Sequence, residues 1–282
     1  MSVGHRYVLV DVFTDVPLEG NQLAVFTDAA TLSAQSMQRL ARELNLSETA
    51  FVLAGERGGD ARVRIFTPTV ELAFAGHPVL GCAIVLAVER GREELTLETG
   101  AGPVPVRVDG RRGRAGRGWM RQPIPSWRPY EHAAELLAAL GVERSGLPIE
   151  TYVNGPTHVY VELDSEVAVA ALAPDLRALG NLGELCVSCF AGAGARWKTR
   201  MFAPALGVDE DPATGSAAGP LAVHLARHGR IAFGAEIESS QGVEIGRPSL
   251  LRARANGSAE QIEPPEVGGS AVIVARGEFL LD

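Results

Sequence analysis

Hydrophobic and polar positions divide the chain into many short strands and few helices. "YVLVDVF" (7–13) and "NQLAVFT" (21–27) read as strands, separated by turn residues Pro17 to Gly20. Ser33 opens a helical pattern in which Met37, Leu40, Ala41 and Leu44 share one stripe. "TAFVLA" and "ARVRIFT" predict two more strands. "VLGCAIVLAVE" (79–89) is apolar on nearly every helical face, and such a helix must be buried all round. The simplest arrangement encloses it in a curled, mainly antiparallel sheet. After "PIPSWRP" (123–129), which reads as an interdomain linker, a second set begins. "YEHAAELLAAL" predicts a helix closed by Gly141, and "TYVNGPTHVYVEL" predicts two strands. "SEVAVAAL" predicts a short helix; "ELCVSCFAG" and "RWKTRMFA" predict strands. "SAAGPLAVHLARHG" is a second near-apolar helix with Gly229 as its stop, and "GSAVIVARGEFLL" alternates like strands.

The two near-apolar helices belong to a repeat. Phe66 and Pro68 answer Phe202 and Pro204; Gly76-His77 answers Gly215-Ser216; Gly91 and Gly229 close the copies. One unit written twice, about 140 residues apart, implies two similarly built halves. The expected division is 1–122, with the C-terminal strand 270–282 returning to it, and 123–269. The expected fold class is α+β, each half a curled, mostly antiparallel sheet around a buried central helix.

Composition narrows the partners. At 282 residues, 46% hydrophobic and 21% charged, the chain is a folded protein long enough for two cores. A net charge of -8 disfavours nucleic-acid binding. The basic run from Arg111 to Arg117 reads as a solvated hairpin loop. The apolar run 80–88 is too short to span a bilayer, and no leader pattern opens the chain, so no membrane association is expected. Three cysteines suit a reducing cytoplasm; the single C-x-x-C, Cys186 and Cys189, reads as two buried strand residues.

Each helix start carries free N–H groups and a partial positive charge, so two of them lining one pocket would cradle a carboxylate. The positions before the paired glycines are Ala75 and Thr214, neither a ready proton carrier, so the twin-thiol pair of a two-base racemase is absent. Glu48, in "LSETAFV", is the other candidate base. Aligning Phe51 with Phe190 pairs it with Val187, so the carboxylate exists in one half only. One base predicts proton removal and return on one face of the substrate: isomerisation, with the Glu48 pKa raised toward neutrality in a desolvated pocket. Taken singly, Glu48, His77, Asp211 and Ser216 also fit ordinary roles as caps, turn residues or surface groups.

"DVFTDVPLEGNQLAVF", "LNLSETAFV", "FTPTVELAFAGHPVLG", "GVDEDPATGSAAG" and "QGVEIGRPS", in this order over nearly the whole chain, resemble the PhzF-like phenazine-biosynthesis family of the diaminopimelate-epimerase-like superfamily. The resemblance implies two α+β halves with the active site between them. It also implies proton transfer along a conjugated ring system without metal or organic cofactor, and a homodimer. It assigns the general acid/base to Glu48, and further site roles to His77, Asp211 and Ser216. Where the family's turn reads Gly-Asn-Pro, this chain has Gly20-Asn21-Gln22.

The combined expectation is a cytoplasmic, cofactor-independent isomerase acting on a small, cyclic carboxylate. Its catalytic residues are Glu48, His77, Asp211 and Ser216, and its substrate-binding residues Asn21, Gly76, Thr214 and Gly215. Two alternatives stand beside it. One is a catalytically silent binder of the same fold. The other is a Ser-His-Asp hydrolase, which "TGSAAG" fits poorly because it is not a G-x-S-x-G elbow.

Overall fold

The computed structural model describes residues 3–281. The chain forms two compact units. One comprises the chain up to Arg121 together with the stretch from Gly268 onward, and the other is Gln122–Val267.

The first unit contains β1 (Val3–Val12), β2 (Asn21–Phe26), α1 (Ala34–Leu44), β3 (Glu48–Leu53), β4 (Ala61–Phe66), β5 (Glu71–Leu72), α2 (Gly76–Arg90), β6 (Glu94–Thr99), β7 (Gly102–Arg112) and β8 (Ala115–Arg121). β1 pairs antiparallel with β2; β2 runs parallel to β3 across α1; β3 and β4 are antiparallel. β4 runs parallel to β6 across α2, and β6, β7 and β8 form an antiparallel meander. The C-terminal strand (Glu266–Leu281) pairs with both β8 and β1, so the strand order closes on itself.

α1 forms as its sequence dictates. The Ser33 hydroxyl accepts from the Ser36 N–H at 3.1 Å, and Asn45 ends the helix in the left-handed region. Its buried stripe, Met37, Leu40 and Ala41, packs on Phe26, Phe51 and Phe66, where Phe26 and Phe51 stack at 4.8 Å. α2 is buried continuously from Gly76 to Ala87 and packs against β1, β2, β3, β4, β6, β7 and β8. Gly81 faces β1 and β2 at close quarters: a Cβ there would lie 2.7 Å from Leu23 Cδ2 and 2.9 Å from Val12 Cγ2. Gly81→Val is therefore expected to destabilise the protein by about 1–3 kcal/mol through overpacking, read as a lowered urea midpoint at unchanged slope.

The second unit contains β9 (Ser126–Pro129), α3 (Ala133–Leu140), β10 (Glu150–Val153), β11 (Thr157–Glu162), α4 (Glu166–Ala170), α5 (Leu176–Gly180), β12 (Cys186–Ala193), β13 (Arg196–Ala203), β14 (Val208–Asp211), α6 (Gly215–Arg227), β15 (Glu236–Gln241) and β16 (Ser249–Arg254). β10 and β11 are antiparallel; β11 runs parallel to β12 across α4 and α5; β12 and β13 are antiparallel. β13 runs parallel to β15 across α6, and β15 and β16 are antiparallel. This is the series of pairings already met from β1 to β7. One face of β11 and β12 (Val159, Val161, Val187, Cys189) packs against Leu136, Leu140, Val169 and Leu179 of α3, α4 and α5. The other face turns aromatic rings toward α6: Tyr160 stacks on His224 at 5.6 Å, and Phe190 meets the same ring edge-on.

Several sequence expectations need correction. "PIPSWRP" is not merely a linker, because residues 126–129 form β9 and pair with β10, Pro129 lying opposite Glu150. β15 went unread because its inward face is Ile237, Ser239 and Gln241, so burial there does not track hydrophobicity. The basic run lies at the β7–β8 hairpin, whose ladder reaches Arg112 opposite Ala115; the side chains of Arg111 and Arg112 lie outside the described residues. Cys186 and Cys189 are buried residues on β12 outside any disulfide, and their odd separation sends them to opposite faces of the strand. Among the described residues no helix is long and apolar enough to cross a membrane.

Candidate active site

Glu48 is the first residue of β3, beside Leu23 of β2. Its side chain is 17% exposed, and Oε2 lies 3.5 Å from Nε2 of His77, the second residue of α2. On the other side of the His77 ring, Nδ1 lies 3.4 Å from the Asn21 side-chain nitrogen. Ser47 donates its hydroxyl to Asn21 Oδ1 at 3.0 Å. Gly20 makes the arrangement possible: it sits at φ 68°, and a Cβ would come within 2.4 Å of the Val12 carbonyl. Burial drives the His77 pKa down to about 3, against an opposing bond to the Gln22 backbone. The ring is therefore neutral near pH 7, and the Glu48–His77 contact is the close approach of a carboxyl to an uncharged ring rather than an ion pair.

The α2 start has no side-chain cap. Ala75 occupies the cap position, and His77 does not cap its own helix. The α6 start is the same in this respect, with Thr214 at the cap position and neither Thr214 nor Ser216 capping by its side chain. The first-turn N–H groups therefore remain directed outward from Gly76 and Gly215.

In the second unit Asp211 ends β14, and Thr214, Gly215 and Ser216 follow; all four are buried. The Thr214 hydroxyl donates to Asp211 Oδ2 at 2.6 Å. Pro220 sits inside α6 and brings no N–H, so the Ser216 carbonyl loses its usual helical donor. Asn154 Nδ2 replaces it at 3.0 Å. Gln122 Nε2 donates to the Gly215 carbonyl at 2.8 Å, and the Tyr160 hydroxyl to that of Ala217 at 2.7 Å. Three side chains thus grip three successive carbonyls and fix the turn that carries Ser216.

Register revises one alignment. Phe66 opposes Thr49 and Phe202 opposes Val187. With Phe66 and Phe202 as repeat partners, the counterpart of Glu48 is Cys186, not Val187. The second unit still has no carboxylate at that position. Ser47, Gln122, Asn154, Tyr160 and Gln241 are site-building residues that sequence reasoning missed. Two of them lay inside quoted motifs, Ser47 in "LNLSETAFV" and Gln241 as the first residue of "QGVEIGRPS".

A second polar cluster lies at the far end of α6. Glu150 Oε2 lies 3.3 Å from His224 Nδ1, 3.0 Å from His228 Nε2 and 2.8 Å from Arg227 Nη1. Burial alone would push the Glu150 pKa up, but bonds from His224, His228, Arg227 and Tyr152 hold it well below the usual carboxylate range. Two histidines and a carboxylate are ligand types for a cation, yet the Arg227 guanidinium already supplies positive charge to the same oxygen.

The chain is 54% identical over 277 residues to the trans-2,3-dihydro-3-hydroxyanthranilate isomerase of Pseudomonas aeruginosa, covering 98% of this chain and all of that one. It is 55% identical, with the same coverage, to the enzyme of that name from Pseudomonas fluorescens. The solved structure of a Bacillus anthracis phenazine biosynthesis protein of the PhzF family superposes with a TM-score of 0.85 at 26% identity, over 99% of this chain and all of that one. Fold and relatives together define an isomerase of mixed α/β architecture that takes a small-molecule substrate. The phenazine biosynthesis-like protein family matches residues 10–277, and the chain belongs to it.

Proposed function

We propose that this isomerase acts on trans-2,3-dihydro-3-hydroxyanthranilate or a close cyclic amino- or hydroxy-carboxylate, as its Pseudomonas relatives are named for doing. One C–H bond breaks, another forms elsewhere on the conjugated ring, and the double bonds relocate without change of composition. Glu48 takes the proton and returns it. Neutral His77, held by Asn21 at Nδ1, hydrogen-bonds the substrate through Nε2. Asp211 and Ser216 bind substrate, and the N–H groups of Gly76 and Gly215 receive its carboxylate. No cofactor is needed for such a shift. We further propose that each unit is a curled sheet around its buried helix, and that the protein works as a cytoplasmic homodimer.

The observation that carries the reading is the partly shielded Glu48 carboxyl, 3.5 Å from a neutral His77 at the start of a buried helix. The test is incubation with trans-2,3-dihydro-3-hydroxyanthranilate in heavy water. Conversion to an isomer of unchanged composition, with one ring hydrogen replaced by deuterium, is expected. A substrate recovered unchanged would overturn the substrate assignment.

A further inference from the structure

Gln241, the last residue of β15, forms a hydrogen-bonded hub behind Asp211 that proton counting makes directional. Its Oε1 accepts from the Thr214 backbone N–H and from the Thr199 hydroxyl, each at 3.3 Å. Its amide nitrogen donates to the Asp211 carbonyl at 2.8 Å and to Thr214 Oγ1 at 3.0 Å. The reverse amide orientation would set a nitrogen against the Thr214 N–H and an oxygen against the Asp211 carbonyl, so only this one satisfies both. Thr214 Oγ1 therefore already accepts a proton from Gln241. Its own single proton is left for Asp211 Oδ2, 2.6 Å away, in the range of an O–H···O⁻ bond. All four residues are buried.

The backbone confirms that this contact is built in. Gly242 follows at φ 74°, and a Cβ there would lie 2.5 Å from the Pro212 carbonyl and 2.4 Å from that of Arg247. Only glycine lets the Gln241–Gly242 segment rest directly on the Asp211–Thr214 turn.

We propose that Thr214 and Gln241 are positioning residues, a one-way chain that presents Asp211 to substrate as a fixed hydrogen-bond acceptor. The Thr214 hydroxyl is then occupied by Asp211 and is not a substrate contact. This also explains what the second helix start gains by carrying threonine before its glycine, where the first carries Ala75. The proposal rests on the substrate-binding role given to Asp211 above.

The test pairs kinetics with a readout that needs no turnover. Thr214→Val keeps the shape and removes the hydroxyl, and is expected to lower kcat/KM about 10- to 100-fold with little change in melting temperature. Thr214→Ser is expected to restore most of it. Gln241→Glu replaces the donating NH2 by an acceptor, which draws the Thr214 hydroxyl away from Asp211. It is expected to reproduce the Thr214→Val loss although the hydroxyl is present. Independently, proton NMR on threonine-labelled protein is expected to show a downfield, slowly exchanging Thr214 hydroxyl, absent in Thr214→Val and shifted in Gln241→Glu as the hydroxyl changes acceptor. Wild-type kcat/KM in Thr214→Val, or failure of Thr214→Ser to rescue, would overturn the proposal. If the hydroxyl signal is present but wild type converts no substrate, the hydrogen-bond chain stands and the functional reading above is what fails.

Discussion

Replacing Glu48 with glutamine is expected to reduce turnover by about 10²- to 10⁴-fold, the usual contribution of a positioned general acid/base. Solvent deuterium is expected to stop entering the substrate ring at the same time. The amide matches the carboxylate in shape and keeps its close approach to His77, so folding and substrate affinity should change little. Glu48 stands at a strand start with its side chain 17% exposed, a position that does not depend on charge for packing. The variant therefore separates proton transfer from architecture. A loss confined to KM would assign Glu48 to binding instead. Equal deuterium entry in wild type and variant would remove it from proton transfer altogether. His77→Gln makes a useful companion: a neutral ring that only donates or accepts a hydrogen bond is partly replaceable by an amide, whereas a base is not.

The sequence exposed this site because its chemistry sits at helix starts that announce themselves. Gly76 and Gly215 open helices so uniformly apolar that their burial is legible directly, and the repeat alone equates His77 with Ser216. The supporting residues were illegible for a physical reason. Gln122, Asn154 and Gln241 act through amide groups aimed at backbone atoms far away in sequence, and such contacts leave no periodic trace. β15 is the clearest case: its buried face ends in Ser239 and Gln241, so alternation of hydrophobicity gave nothing to detect. The pairing of Glu48 with Val187 slipped by one because it aligned Phe51 with Phe190. Phe51 packs under α1, whereas Phe190 turns toward α6, so the two phenylalanines lie on non-equivalent faces of their strands. A one-residue slip in a strand always exchanges faces.

Acid lability is the second large effect expected, and its source lies outside the catalytic residues. His158 on β11 is fully buried, stacks on the Tyr160 ring at 6.3 Å, and has no protein partner at either ring nitrogen. Burial lowers its pKa from 6.5 to about 3. Between those values the unfolded chain binds a proton at His158 and the folded chain does not. Stability is therefore complete above pH 6.5 and falls as the pH drops toward 3. For a fully buried imidazole the limiting loss is roughly 5 kcal/mol, a large share of the 5–15 kcal/mol typical of a folded protein. His77 acts in the same direction over the same window. His158→Leu removes the titrating group at nearly constant volume and also removes two unpaired polar atoms. Its stability near pH 8 is expected to lie within about 1.5 kcal/mol of wild type or above it. Its urea midpoint should then fall less between pH 6.5 and pH 4, by about half the wild-type drop if His77 supplies the rest. Parallel decline of the two proteins over that range would show that His158 titrates normally in the fold, and that the acid sensitivity belongs to His77 or to the Glu150 network, whose carboxylate releases its contribution only below the unfolded value of about 4.5.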